Sequence, residues 1–182
     1  MIKENPMMKK IFISIPKIQS GDLFLVAGTG DISKGILLFE RIWGRDNVSM
    51  FSHAGVICTK EGLTLEALPS GFKQGSFFDE YIGKKILLVR PMSVSVDTMN
   101  KAFEKFGNDH VGDRYPFGRL ILHALGLARF FKSDTDVCSE GVAELCYLFG
   151  IRHNRWNGVT PDDLEEEFRN WKCYQIIYDG IL

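Results

Sequence analysis

The sequence contains no long hydrophobic run near its start, and this absence removes the usual signs of export or membrane insertion. The charged segment Met1–Lys10 is followed by a run of only five residues, Ile11 to Ile15, which ends at Pro16. That run is shorter than the core of a signal peptide and far shorter than a membrane span. We expect a soluble, cytoplasmic protein without an integral membrane segment, with later release left open.

An excess of charge of one sign is also absent. The 22 Lys and Arg residues nearly balance the 23 Asp and Glu residues, and the formal net charge is −1. Nucleic acids and anionic membranes attract strongly basic proteins. The balance therefore gives no reason to expect nucleic acid or anionic lipid as the main partner.

Cysteine is sparse, and no two cysteines form a CxxC pair. The four residues Cys58, Cys138, Cys146 and Cys173 are scattered through the chain. Without paired spacing a zinc knuckle is not expected, and so few cysteines suit a reducing compartment better than a disulfide scaffold.

Internal repeats, low-complexity stretches and Pro/Gly/Ser-rich linkers are missing as well. A chain of 182 residues with 45% hydrophobic content is long enough for one core. We predict a single domain over 1–182, in which 1–20 form an N-terminal extension. The mixed order of elements favours an α+β fold with a small antiparallel sheet packed against helices. Periodicity and turn signals predict strands at 23–27, 51–58, 63–68, 86–90 and 173–178, and helices at 31–44, 96–106, 117–131, 137–149 and from Thr160 onward.

Cys138 is the cysteine whose position indicates chemistry. It follows a polar loop and opens an apolar helical run. The first turn of a helix offers unpaired N–H groups and the positive end of the dipole, which stabilise a thiolate and can receive the oxyanion of a tetrahedral intermediate. The alternative is a plain core cysteine, since cysteine is often fully buried.

His53 and Glu66 lie on the two strands of a predicted hairpin. A carboxylate beside an imidazole orients the ring and selects its tautomer, so that the other ring nitrogen can meet a thiol. The two side chains share a face only in some registers, because a slip of one residue would separate them. The alternative for His53 is a satisfied core or surface residue.

Four short motifs occur in an order that resembles a known family. They are Gly21-Asp22-Leu23, Ser52-His53-Ala54-Gly55-Val56, Leu65-Glu66-Ala67 and Cys138-Ser139-Glu140. This order is similar to that of the permuted NlpC-type papain-like superfamily and its YiiX/YebB-like branch, in which the histidine strand precedes the cysteine helix. The resemblance covers roughly residues 20 to 170.

Two further segments match the family. Gly112-Asp113-Arg114-Tyr115 resembles its Gly-x-x-Tyr segment, although Pro116 replaces the usual aspartate, and Thr160-Pro161-x-Asp163-Leu164 resembles a late helix start. The resemblance implies a circularly permuted papain-like fold with Cys138 as nucleophile, His53 as base and Glu66 as orienting acid. Tyr115 would line the site or donate to the oxyanion.

The implied activity is that of a thiol hydrolase that cleaves a peptide or cell-wall-type amide bond through a thioester, with no metal or organic cofactor. Three alternatives stay open. The same triad could serve a lipid or acyl ester or amide hydrolase or an acyltransferase, the protein could be a non-catalytic binding or structural protein with the same fold, or His53, Glu66 and Cys138 could ligate a metal.

The remaining candidates receive structural interpretations. Cys58, Cys146 and Cys173 are expected in the core, and Glu140 is expected to point away from the site. Three histidines have no acidic residue or cysteine at a spacing that would indicate a pair, and we interpret them as surface or satisfied residues: His110, His123 and His153. Core packing is favoured over a lipid groove for Ile36–Phe39 and Phe77-Phe78.

Overall fold

The computed structural model describes residues 16–28, 50–68, 71–110, 138–153 and 156–182. Within these ranges six strands form one antiparallel sheet, and four helices accompany it. The strands are β1 Leu23–Val26, β2 His53–Ile57, β3 Leu63–Leu68, β4 Gly71–Ser76, β5 Lys85–Pro91 and β6 Tyr174–Ile181. The helices are α1 Phe77–Tyr81, α2 Val96–His110, α3 Cys138–Leu148 and α4 Pro161–Asn170.

The strand order across the sheet is β4-β3-β2-β1-β5-β6, and all neighbours are antiparallel. The strands β1 to β4 follow one another as neighbours, while β5 pairs on the free side of β1. This places β1 inside the sheet, and its four residues are buried. The apolar composition of β1 therefore reflects burial on both faces.

Each face of the sheet packs on its own apolar cluster. One cluster joins Ala54 and Val56 of β2 to the helices α2, α3 and α4, with Val142 and Leu145 as contributions from α3. The other cluster contains Phe24 together with Phe77 and Tyr81 of the short helix α1. Alternation of side chains along β2 thus directs Ala54 and Val56 to the helical face.

Among the described residues, the sequence correctly predicted the α+β class, the antiparallel sheet and the main elements outside the segment from 71 to 81. The helix start at 160 is confirmed in detail, because the Thr160 hydroxyl accepts from the Asp163 backbone N–H and the Asp163 carboxylate accepts from the Thr160 backbone N–H. Strand β4 and helix α1 were not predicted. Two glycines weaken the strand pattern of β4, and a helix of five residues is too short for a periodic signal.

Several predictions fall outside the described residues. These are the helices at 31–44 and 117–131, the Ile36–Phe39 segment, His123 and Tyr115. The single-domain organisation stays a prediction. Across the part of the chain that the structure describes, no helix combines the length and apolar character needed to cross a bilayer.

Candidate active site

The β2–β3 hairpin has the register that brings His53 and Glu66 to one face. Gly55 is the direct partner of Glu66, so His53 lies diagonally across from the glutamate. The His53 Nε2 atom is 2.6 Å from Glu66 Oε2. Of the two registers that the turn composition left open, the structure has the one in which the carboxylate holds the ring.

Gly55 is needed at its position because two side chains occupy the space where a larger residue would extend. A Cβ atom there would lie 2.4 Å from the Phe24 ring and 2.8 Å from Cγ of Glu66. The small residue therefore admits the Phe24 ring of β1 and the stem of Glu66.

Glu66 has two more partners, which the sequence did not reveal. The Thr64 hydroxyl donates to Oε1 and the Tyr81 hydroxyl donates to Oε2, the oxygen that also meets His53. The glutamate is only 2% exposed. Strand alternation could have identified Thr64, since it lies two residues before Glu66 on the same face. Tyr81 belongs to the helix that was not predicted.

Cys138 is the first residue of α3 and is buried. Its side chain lies close enough to His53 to raise the pKa of the ring, through hydrogen bonding and through charge. Because Glu66 engages Nε2, the nitrogen left for the sulfur is Nδ1. The structure thus brings His53 into contact with Glu66 and places Cys138 near enough to the same ring to affect its pKa.

The pKa values of His53 and Glu66 are both shifted toward the charged forms of these side chains. Burial acts to lower the pKa of His53, but the hydrogen bonds and charges of Cys138 and Glu66 outweigh it and raise the pKa to about 10. Burial also acts to raise the pKa of Glu66, and the bonds from His53, Thr64 and Tyr81 keep that pKa below its ordinary value. The arrangement favours a protonated ring beside an ionised carboxylate at neutral pH.

The other three cysteines are in different surroundings. Burial raises the pKa of Cys58 to about 11 and that of Cys146 to about 12, and it also raises the pKa of Cys173. Cys146 lies in the core as expected, while Cys58 and Cys173 are partly buried against it. All four cysteines are free thiols.

The two residues after Cys138 attach the start of α3 to the segment before α4. The Ser139 hydroxyl donates to the Val159 carbonyl at 2.7 Å, and the buried Glu140 carboxylate accepts from the Gly158 backbone. Glu140 therefore points away from the His53 ring, as predicted. Both bonds fix the position of the first turn of α3 relative to the segment before α4.

The Gly-Asp and Ser-His motifs also contribute structural bonds. Asp22 is fully buried and accepts from the Arg90 guanidinium at 2.7 and 2.8 Å and from the Gln19 backbone. The Ser52 hydroxyl accepts from the Gly28 backbone at 3.0 Å. These bonds fix the start and the end of β1, and they do not involve the Cys138 thiol.

His110 is a satisfied residue, one of the two predicted alternatives, and its acidic partner is one that sequence spacing did not indicate. Its Nε2 lies 2.8 Å from Oε2 of Glu144, and both side chains are buried between α2 and α3. The Phe72 and Phe106 rings pack on the imidazole at 5.4 and 4.6 Å between centroids. The 34-residue separation hides the pair from local pattern analysis. His153 is exposed, as expected.

No group of three or more His, Cys, Asp or Glu side chains within the described ranges is arranged to hold a metal ion. The Glu66 carboxylate is directed at the His53 ring and at two hydroxyls, so its oxygens are already engaged. Tyr115, the candidate oxyanion donor, lies outside these ranges.

Together the fold and the cluster define a class: an α+β protein with a cysteine at a helix start and a histidine–glutamate pair on an antiparallel sheet. Among solved structures, the fold is similar to that of YiiX from Escherichia coli O157:H7, described as a metalloprotein. The TM-score is 0.60 at 16% identity, and the match covers 91% of this chain and 99% of YiiX. No protein-family model and no curated protein matches the sequence.

Proposed function

We propose that the protein is a cysteine hydrolase in which Cys138 is the nucleophile, His53 the base and proton carrier, and Glu66 the orienting acid. The observation that carries the proposal is the 2.6 Å contact between Nε2 of the His53 imidazole and the Glu66 carboxylate, with Cys138 near enough to the same ring to raise its pKa. A nucleophile, a base and a group that orients the base are the components of thiol catalysis.

In the first half of the proposed reaction the Cys138 sulfur attacks a carbonyl carbon while His53 carries the thiol proton. The new C–S bond places negative charge on the carbonyl oxygen, which the Cys138 backbone N–H at the start of α3 receives. His53 then donates its proton to the leaving nitrogen or oxygen, the C–N or C–O bond breaks, and a thioester remains.

In the second half water attacks the thioester and gives its proton to the neutral His53 ring. The C–S bond breaks, the acid product leaves, and the thiolate returns beside a protonated imidazole. Throughout both halves Glu66 holds Nε2, so that Nδ1 stays directed at the reacting atoms.

The chain order further supports a permuted papain-like arrangement, which we include in the proposal. The strand that carries His53 precedes the helix that carries Cys138, the order that the motif resemblance implies. For the substrate we propose an amide of a peptide or cell-wall type. Esters and amides of lipid or acyl type are the competing class.

The description of YiiX as a metalloprotein does not extend readily to this chain. The described residues lack a suitable group of metal ligands, and Nε2 of His53 is engaged by the Glu66 carboxylate. The donors that the structure describes at this site therefore do not fit a bound metal, and no step of the proposed reaction uses one.

Incubation with peptide and acyl libraries, followed by mass spectrometry, tests the proposal. We expect a thioester adduct on Cys138 and turnover that disappears in Cys138→Ala. The matched control is Cys173→Ala, which removes a partly buried thiol and should keep turnover. Glu66→Gln should reduce the rate less than His53→Ala, because the first change spoils orientation while the second removes the base.

Two outcomes contradict the proposal. One is turnover that persists in Cys138→Ala. The other is loss of turnover together with loss of the folded circular dichroism spectrum, which would indicate a core cysteine. The chemical class of the library member found on Cys138 decides between amide and acyl substrates.

A further inference from the structure

We propose that Tyr81 and Thr64 are positioning residues that hold the Glu66 carboxylate ionised and directed at His53. This inference rests on the proposed function, because it assigns the groups that act on the catalytic cluster through Glu66. Neither residue belongs to the motifs that resemble the papain-like family.

The geometry gives each carboxylate oxygen of Glu66 its own hydroxyl donor. Thr64 donates to Oε1, whereas Tyr81 donates to Oε2 and shares that oxygen with His53. A buried carboxylate keeps its charge only when donors replace the lost water. With both oxygens held, the carboxylate plane cannot rotate away from the imidazole without breaking a bond.

Core packing fixes the position of the Tyr81 hydroxyl. The Tyr81 ring lies 5.4 Å from the Phe24 ring and 6.0 Å from the Phe77 ring, and the Lys84 ammonium lies 5.1 Å above it. Burial and the Glu66 charge raise the pKa of Tyr81, so the phenol stays protonated and remains a donor. The hydroxyl is therefore positioned by packing before any substrate binds.

Gly75 on strand β4 leaves space for the Thr64 hydroxyl and for the Glu66 oxygen that this hydroxyl bonds. A Cβ atom at Gly75 would lie 2.9 Å from Thr64 Oγ1 and 3.2 Å from Glu66 Oε1. Glycine at this position allows β4 to pair beside β3 without displacing the Thr64–Glu66 bond. This contact is independent of the Tyr81 packing.

Several titratable or charged groups surround the carboxylate. The ring of His53 and the sulfur of Cys138 lie on the side of Glu66 where the proposed reaction takes place. The other groups are Cys58 just after β2, Lys73 opposite Glu66 on β4, and Glu80 and Tyr81 on α1. Glu80 adds negative charge near the Thr64 side, which increases the need for donors at Glu66.

Alkylation of Cys138 by iodoacetamide over a pH series tests the inference. Glu66 has a lowered pKa, so its charge is present above that pKa and is lost as the pH falls through it. Removal of a donor raises the pH at which the charge is lost. We expect the acid limb of the alkylation profile to move up by about 1–2 pH units in Tyr81→Phe, because a hydrogen bond to a charged group has about that effect.

Three controls separate positioning from general damage. Tyr178→Phe removes a hydroxyl that donates to the Ile181 carbonyl, far from Glu66 along the chain, and should leave the profile unchanged. Thr64→Val should move the acid limb in the same direction as Tyr81→Phe, whereas Thr64→Ser keeps a hydroxyl and should restore the wild-type profile. If Tyr81→Phe fails to fold, the Thr64 pair provides the same comparison.

An acid limb that stays in place in both Tyr81→Phe and Thr64→Val, with fast wild-type alkylation of Cys138, overturns this inference alone. If wild-type Cys138 reacts no faster than the other cysteines, the proposed function fails together with it.

Discussion

The titration of His53 is the property that most directly tests the linked cluster. Its pKa of about 10, against an ordinary 6.5, means that the folded protein prefers the protonated ring. The difference of about 3.5 pH units corresponds to about 5 kcal/mol. Burial acts in the opposite direction, so the contributions of Cys138 and Glu66 together exceed that net value.

Replacing Glu66 by glutamine removes the charge but preserves the shape of the side chain. The bond that joins Nε2 to Oε2 is 2.6 Å long and partly buried, and such a charge-assisted bond is worth about 1.5–3 kcal/mol. In Glu66→Gln the pKa of His53 should therefore fall by about 1–2 pH units. Cys138→Ala should lower it at least as far, because the sulfur is the stronger of the two influences.

The double variant gives a sharper outcome. Without either partner only burial acts on the ring, and burial disfavours the charged form. The pKa of His53 should then fall below the ordinary 6.5. Nuclear magnetic resonance of histidine-labelled protein measures all of these titrations, with the His53 signal identified by its disappearance in His53→Gln.

A wild-type His53 that titrates near 6.5 would refute the reasoning, since it would mean that sulfur and carboxylate do not act on the ring. An unchanged titration in Glu66→Gln would also refute it, because the short bond would then carry no charge effect. Glu144→Gln is a matched control, as it alters the other histidine–glutamate pair and should leave His53 unaffected.

Two further predictions concern the same cluster. At neutral pH iodoacetamide should label Cys138 well before Cys58 and Cys146. The pKa values of Cys58 and Cys146, about 11 and about 12, leave only about 1 part in 10⁴ and 1 part in 10⁵ of these thiols ionised at pH 7. Equal labelling of the three cysteines in peptide maps would contradict this selectivity. Gly55→Ala should lower the free energy of unfolding by about 1–3 kcal/mol, because the added Cβ would overlap the Phe24 ring. Urea denaturation measures this loss of stability. An unchanged unfolding midpoint would mean that the sheet adjusts freely to the added atom.

The sequence predicted the hairpin but not its register. Alternation along Phe51–Cys58 and Leu63–Leu68 assigns each residue to a face, yet a shift of one residue exchanges the faces. In the structure, Gly55 meets Glu66 because only a glycine leaves space for the Phe24 ring and the glutamate stem. Contacts with a third strand therefore decided what the two-strand pattern left open.

Tyr81 and the His110–Glu144 pair were beyond the reach of local patterns for a related reason. Tyr81 lies on a helix of five residues and reaches Glu66 across a strand and a turn. His110 and Glu144 are 34 residues apart on different helices. Periodicity reports which face of its own element a residue occupies, but not which element packs there.

Among the described residues, the sequence by itself determined the order of the elements other than β4 and α1, the helix start at Thr160 and the residue types suited to thiol chemistry. These follow from local preferences: hydrophobic spacing, capping and turn residues act within a few positions of the chain. Only the tertiary structure decided that the Cys138 sulfur, the His53 ring and the Glu66 carboxylate meet, and that Tyr81 and Thr64 complete the cluster. The physical reason is that these contacts join elements far apart in sequence, so they depend on the packing of α3 and α1 around the sheet.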